Sequence, residues 1–345
     1  MKKKIGEFFK GKKILVTGGT GSIGSEIVRQ LLQYKPVVVR ILSNDEASLF
    51  EFQQELREQL NLRYLIGDIR DIERLKIAME NIDIVFHAAA LKHVPLCEYN
   101  PLEAISTNII GTENVIKASI YNKVDRCIFI STDKAVNPTG VMGATKMLAE
   151  RLVILANSYL STETKFAVVR FGNVLDSRGS IIPFVKKQIM NGGPVTITDP
   201  NMTRFIMSIS QAVGLVFKAA SMSLGGEVFV LKMPTLRILD LIEVMIEELA
   251  PKYGYEPEEI KRNFIGPRTR EKIHEELITD DEVRWMVEDK EMFIITYPEL
   301  ERAAAQSSVN GLKDISIKEK GYSSNCSDLL NKKEIQNILS LNGII

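Results

Sequence analysis

Two short segments carry residue types that chemistry needs. In Ser131-Thr132-Asp133-Lys134 a hydroxyl, a carboxylate and an amine stand together after a β-branched run. Met142-Gly143-Ala144-Thr145-Lys146 follows and opens a helical pattern, which brings a second lysine toward the first. A carboxylate and an amine side by side suit proton transfer to and from a reacting group. The plainer alternative for Asp133-Lys134 is a surface turn with a solvated ion pair. The second segment is Lys12 to Gly24, where Gly18, Gly21 and Gly24 follow an apolar run and precede a helical pattern at Ile27, Leu31 and Leu32. Strand, tight glycine turn and helix N-terminus, in that order, bring backbone and free N–H groups to a pyrophosphate. Gly18, Thr20, Gly21, Ser22, Ile23 and Gly24 are therefore the candidate phosphate cradle of a dinucleotide cofactor.

These segments need a scaffold, and the chain alternates strand and helix patterns that supply one. Strands are expected at Val37–Leu42, Arg63–Ile66, Asp83–His87 and Cys127–Ser131, with helices over Ser25–Tyr34, Ile72–Met79 and Asn108–Tyr121. That alternation predicts an α/β fold: a Rossmann-type parallel sheet with helices on both faces. Ligands in such sheets sit beyond the carboxyl ends of the strands. An acid there, ~20 residues after the glycines, usually holds the adenosine ribose. Here the second strand ends in Ser43-Asn44-Asp45. Ser43 at the acid's place leaves no carboxylate to repel a 2′-phosphate, which leans toward NADP; Asp45 reaching the ribose would favour NAD. Asp68 and Ile69, after the third strand, are candidates for the adenine; the alternative for Asp68 is a cap on the next helix. Ala88, Ala89 and Ala90, after the fourth strand, are small enough to let a cofactor lie close.

After residue 170 the pattern loosens into shorter elements with a returning strand at Val228–Leu231. The expected organisation is a dinucleotide-binding domain over 1–175 and a smaller mixed, substrate-binding part over 176–300. Residues 301–345 are expected to be a tail with a terminal helix at Lys332–Leu341. Composition excludes several classes. The 345 residues are 45% hydrophobic and 26% charged, enough apolar content for a large core and too much for a disordered chain. Forty-four basic residues balance 44 acidic ones, so no electrostatic footprint marks a nucleic-acid or membrane partner. Three cysteines, Cys97, Cys127 and Cys326, are too scattered for a disulfide framework or zinc cluster, and His87, His93 and His274 lack metal-ligand spacing. No secretory leader or spanning segment is evident, and a cytoplasmic protein is expected.

The motifs together resemble a family. Thr17 to Gly24, Ala89-Ala90-Leu91-Lys92-His93-Val94-Pro95, Ser131 to Lys134, Met142 to Lys146, Arg170 to Val174 and Ser177-Arg178-Gly179-Ser180 are similar to the extended short-chain dehydrogenases/reductases. Within that group they resemble the nucleotide-sugar 4,6-dehydratases acting on UDP-N-acetylglucosamine. The resemblance spans about residues 10–295. It implies a tightly bound, recycled NAD or NADP, a nucleotide-sugar substrate and a homo-oligomer, a dimer or higher. The wider family uses a Tyr-x-x-x-Lys pair, and here Met142 holds the tyrosine's place; a thioether has no proton to give. Asp133 and Lys134, through Thr132 or water, are then expected to do the proton work, with Lys134 a base whose pKa burial and Lys146 lower. Lys146 keeps the family lysine's role at the nicotinamide ribose. Lys92, Asn173, Arg178, Arg204, Arg268 and Glu271 match positions for the sugar or nucleotide. The family usually has glycine where Arg270 stands. The alternatives are a GDP-sugar dehydratase, a UDP-sugar 4-epimerase on the same fold and a catalytically inactive binding protein.

Overall fold

The computed structural model describes residues 2–159, 162–297, 320–325 and 328–345; Cys326 lies outside them. The elements in order are α1 (Lys2–Phe9), β1 (Lys13–Thr17), α2 (Ser22–Leu32), β2 (Val38–Ser43), α3 (Glu46–Glu55), β3 (Leu62–Ile66), α4 (Ile72–Ala78) and β4 (Ile84–His87). Then come α5 (Val94–Tyr99), α6 (Pro101–Ile105), α7 (Gly111–Tyr121), β5 (Arg126–Thr132), α8 (Val141–Tyr159), β6 (Lys165–Phe171) and β7 (Asn173–Val174). The remainder is α9 (Ile181–Met190), β8 (Val195–Ile197), β9 (Thr203–Met207), α10 (Ile209–Met222), β10 (Glu227–Leu231), β11 (Thr235–Arg237), α11 (Ile238–Leu249), β12 (Arg262–Phe264), β13 (Glu276–Ile278), β14 (Met286–Glu288), β15 (Met292–Thr296), β16 (Tyr322–Ser323) and α12 (Lys332–Leu341).

Nine strands form one sheet in the order β14-β15-β10-β6-β5-β4-β1-β2-β3. From β3 to β10 every pairing is parallel; β15 and β14 add an antiparallel edge. The order reverses between β1 and β4, the crevice where such sheets take ligands. The expected Rossmann-type α/β architecture is what the chain adopts. Its strands read as unbroken apolar runs because helices cover them: α2 packs with α10 on one side, and α4, α7 and α8 pack together. Smaller sheets, β11-β9-β7, β12-β8 and β13-β16, complete the C-terminal part. A second apolar core joins Val185, Ile189, Val195, Leu241 and Met245 to Ile335 and Leu339 of α12, so the terminal helix is docked there. Strands β10, β14 and β15 join the main sheet although they follow residue 225.

Local differences from the sequence expectation have local causes. Helix α3 was not anticipated; Asp45 starts it by accepting from Ser48 N at 3.0 Å. The helix expected from Asn108 begins instead with a π-helical turn over Ser106–Ile110. There the Asn108 side chain accepts from Leu91 N (2.8 Å) and donates to Leu91 O (3.0 Å), which ties the turn to the loop after β4.

Arg170 of the Arg-Phe-Gly-Asn-Val motif is buried and structural. Its guanidinium donates to Glu150 of α8 (2.7 Å), to Glu282 (3.1 Å) and to Leu277 O (2.8 Å), and Tyr297 Oη donates to Glu282 at 2.6 Å. This network clamps β6, α8 and the returning 277–297 segment behind the ligand crevice. Arg170→Ala leaves two buried carboxylates without their cation and should destabilise by about 3–5 kcal/mol. Denaturant unfolding checks this; a loss below about 1 kcal/mol contradicts it.

Candidate active site

The glycine loop is built for close backbone approach. Gly18 has φ +63°, and a Cβ there would lie 2.7 Å from the Ala89 backbone; at Gly24 it would lie 2.2 Å from Gly18 O. Gly21 caps α2 without any side chain, so the first helical N–H groups of an eleven-residue helix face the crevice. Ala88 N donates to Thr17 O at 3.2 Å, which lays the small 88–90 segment beside the loop. Thr20 Oγ1 and Ser43 Oγ share a hydrogen bond of 2.9 Å. Ser22 Oγ accepts from Arg178 N at 3.0 Å, and the Arg178 guanidinium donates to Thr20 O. Arg178 therefore stands at the phosphate end of the glycine loop. A cleft of about 520 Å³ lies alongside, lined in part by Thr20, Ser22, Ser48, Asp176 and Arg178. The free N–H groups of the glycine loop and the Arg178 guanidinium fit a dinucleotide's pyrophosphate, while Glu26, Glu51 and Glu55 also line this cleft.

At the adenosine end, the Asp45 carboxylate is engaged in capping α3, and hydrogen bonds from Ser48 hold its pKa below the usual carboxylate range. Ser43 is buried at the strand end and accepts from Asp45 N at 3.2 Å. Asp68 is not the cap of α4; Asp71 is, accepting from Arg74 N at 3.0 Å. Asp68 instead accepts from Arg70 Nη2 at 2.7 Å and from Asn44 Nδ2 at 3.4 Å. Ile69 is buried against Gly111, where a Cβ would sit 2.6 Å from Ile69 Cδ1.

Beyond the end of β5, Asp133 is fully buried. Its Oδ1 accepts from Thr132 Oγ1 (2.8 Å) and from Lys134 Nζ (3.0 Å). The Lys134 ammonium also pairs with Glu275 Oε1 at 3.1 Å. Asp133 Oδ2, Glu275 Oε2, Ser131 Oγ and Asn173 Oδ1 are buried without a hydrogen-bond partner among the described residues. Unpaired buried polar atoms are costly, and two of these belong to the carboxylates that share the Lys134 ammonium. The expectation that the Lys134 pKa is lowered does not hold. Burial does press it down, but the Asp133 and Glu275 carboxylates outweigh burial and the opposing Arg204, and the net direction is upward. Lys146 moves the opposite way: burial brings it to about 7, with Glu150 opposing the shift. Its ammonium donates to Ile130 O at 2.7 Å and lies 3.9 Å from the centre of the Phe129 ring. Met142 is buried beside Cys97 and Ala104, an apolar packing role.

The remaining candidates fall in different places. Lys92 is exposed and donates to Arg178 O at 2.7 Å. Arg204 is buried with its guanidinium spent on the carbonyls of Thr203 (2.7 Å), Lys272 (2.9 Å) and Ile273 (3.0 Å), so it shapes the loop that carries Glu275. Arg268 is exposed and its N–H donates to Glu271 at 3.1 Å. Arg270 takes φ +68°, the left-handed backbone a glycine would adopt at this place, so the loop keeps that turn despite the side chain. Glu275 and Asn108 escaped the sequence reading. Glu275 follows a loop far from Lys134 in the chain, and only the fold joins them. Among the described residues no cluster of His, Cys, Asp or Glu could hold a metal ion, and no helix is long and apolar enough to cross a membrane.

Sheet order, glycine loop and the lysine at the start of α8 define an extended short-chain dehydrogenase/reductase. Residues 14–297 match the family of polysaccharide biosynthesis proteins, and the chain belongs to that family. It is 56% identical over 336 residues to an uncharacterized membrane protein of Methanocaldococcus jannaschii, covering 97% of each. It is 41% identical over 341 residues to a UDP-N-acetylglucosamine 4,6-dehydratase (inverting) of Campylobacter jejuni, covering 96% of this chain and 98% of that one. A UDP-glucose 4-epimerase of Rickettsia rickettsii is 39% identical over 339 residues, 96% of each chain. The X-ray structure of Pen from Bacillus thuringiensis superposes with a TM-score of 0.90 at 46% identity, over 98% of this chain and 99% of that one.

A lysine whose folded pKa lies below its unfolded value costs stability when charged. That cost is fully present below pH ~7 and fades as pH rises from about 7 toward 10.5. Lys146→Met keeps the volume and removes the charge. Below pH 7 the variant should be more stable than the parent by a few kcal/mol, and the gain should shrink between pH 7 and 10.5. Paired denaturant titrations check the trend; a pH-independent difference contradicts it.

Proposed function

We propose that the protein is a nucleotide-sugar 4,6-dehydratase that converts UDP-N-acetylglucosamine to the UDP-2-acetamido-2,6-dideoxy-4-hexulose for glycan or polysaccharide synthesis. The observation that supports this most is the pair formed by the half-buried Lys134 and the buried Asp133, whose carboxylate keeps one oxygen unpaired among the described residues. The named dehydratase relative, 41% identical over nearly the whole chain, supports the same reading. NAD or NADP, when bound, supplies a site that takes hydride from sugar carbon 4 and returns it to carbon 6. Ser43 at the end of β2 is read as favouring NADP, since the Asp45 carboxylate is turned to the cap of α3 rather than held free for the ribose hydroxyls.

The chain's own residues handle the protons. Asp133, ionised and accepting from Thr132 Oγ1, receives the proton of the 4-hydroxyl through that hydroxyl. Now protonated, Asp133 gives this proton to the 6-hydroxyl, which departs as water. Lys134, once neutral, takes the carbon-5 proton made acidic by the 4-ketone and later returns it to carbon 5. The sum is loss of one water, with each residue restored. Lys146 serves to position the nicotinamide ribose, and Met142 packs where the family's tyrosine would stand. Arg178 at the glycine loop, with Lys92 bonded to its carbonyl, is placed to meet substrate phosphate or sugar. Asn173, with an unpaired buried oxygen, suits a sugar hydroxyl or amide. Arg268 and Glu271, on an exposed loop, are read as the nucleotide end. We read the protein as a homo-oligomer, with exposed Tyr121, Leu148 and Leu155 on α7 and α8 as the contact face.

Likeness to a protein named UDP-glucose 4-epimerase favours a second reading, in which carbon 4 is inverted and no water leaves. Incubation with UDP-N-acetylglucosamine followed by mass spectrometry separates the two. The dehydratase gives a product lighter by one water, and Asp133→Asn should slow it by on the order of 100-fold or more. An isomer of unchanged mass establishes the epimerase, and unchanged substrate contradicts both.

A further inference from the structure

Lys134 is held as an ammonium in the resting protein, yet a carbon-5 base must begin as an amine. Its proton needs a destination within reach of the ammonium. Two carboxylates touch the ammonium: Asp133 at 3.0 Å and Glu275 at 3.1 Å. Asp133 is taken by the 4-hydroxyl proton. Glu275 is 2% exposed, and its Oε2 has no partner among the described residues. It is not a loose surface carboxylate. Its N–H donates to Ser324 Oγ at 2.9 Å, its carbonyl accepts from Ser324 N at 2.8 Å, and Arg204 Nε lies 3.8 Å from Oε1. The groups facing Lys134 are thus Asp133, Glu275 and, beyond them, Arg204.

We propose that Glu275 is the proton acceptor that converts Lys134 to the active amine. This rests on the dehydratase reading. When substrate binds and water leaves, the Nζ–H bond of Lys134 breaks and an O–H bond forms on Glu275. An ion pair becomes two neutral groups, the change that a drier, lower-dielectric site favours. Lys134 then takes the carbon-5 proton, and after protonating carbon 5 it recovers its own proton from Glu275. No outside acid or base is consumed. Because the transfer is internal to the pair, elimination by the native enzyme should be flat with pH wherever the pair holds one proton. Glu275 acts through Lys134 and is a positioning and proton-holding residue.

The test compares the native protein with Glu275→Gln and Glu275→Asp. Cofactor and UDP-N-acetylglucosamine binding are measured first to show that the site is intact. Glu275→Gln should slow carbon-5 hydrogen exchange on the order of 100-fold at neutral pH, and the rate should climb about tenfold per pH unit as solvent removes the Lys134 proton. Glu275→Asp should restore part of the flat profile. In substrate-free protein carrying 13C-labelled lysine, the Lys134 Cε resonance, assigned with Lys134→Arg, should titrate at lower pH in Glu275→Gln than in the native protein. That readout needs no turnover. An unchanged Lys134 titration, or a loss of rate that is the same at every pH, overturns the proposal. Native protein that eliminates no water overturns the dehydratase reading, and the proton-acceptor role falls with it; water loss with an unchanged profile in Glu275→Gln overturns the Glu275 role alone.

Discussion

The structure turns on one half-buried cation shared by two buried carboxylates. Lys134 reaches Asp133 and Glu275 within about 3 Å of each, and both acids keep a second oxygen unpaired. A single carboxylate beside an ammonium would make a closed ion pair with little left to do. Two carboxylates around one ammonium leave acceptor capacity inside the protein, which is expensive unless a ligand's hydroxyls complete it. Much of the surrounding fold exists to keep that arrangement in place. The Arg170 network fixes β6 against α8, Arg204 spends its guanidinium on the loop before Glu275, and Ser324 holds the Glu275 backbone from near the chain's far end.

Met142 makes sense within this arrangement. Where the wider family keeps a phenol for proton transfer, this chain has packed a thioether against Cys97 and Ala104. The lysine one helical turn further on is retained but shifted in pKa to about 7 by burial, while Lys134 moves the other way. Two lysines close in sequence therefore shift in opposite directions: burial dominates at Lys146 over its neighbour Glu150, and the two carboxylates dominate at Lys134. The raised shift holds Lys134 as an ammonium at rest, so its service as a base requires a neighbouring group to take its proton.

Much of the scaffold was legible in the sequence. The strand–glycine–helix order at residues 12–34 and the alternation up to residue 131 follow from local patterning, and the parallel sheet forms from them. Asp133, Lys134 and Lys146 stood out because their residue types sit at strand and helix ends. What was not legible depended on long-range contact. Nothing in Glu271-Lys272-Ile273-His274-Glu275 distinguishes the last glutamate until β13 brings it to Lys134. The sign of the Lys134 shift followed from that omission, since burial alone would lower it. Asp45 and Asp68 were ambiguous because a carboxylate at a strand end serves a cap, an ion pair or a ribose equally well; the fold engages Asp45 in a cap and Asp68 with Arg70.

The central claim, that a lysine between two acids moves the carbon-5 proton without a phenol, is tested most directly by single-turnover kinetics of Lys134→Ala. Nicotinamide absorbance and water loss would be followed together on protein loaded with cofactor and UDP-N-acetylglucosamine. The account predicts that the nicotinamide is reduced and stays reduced, because carbon 4 is oxidised but carbon 5 keeps its proton and no water leaves. Water loss by this variant at the native rate would contradict it.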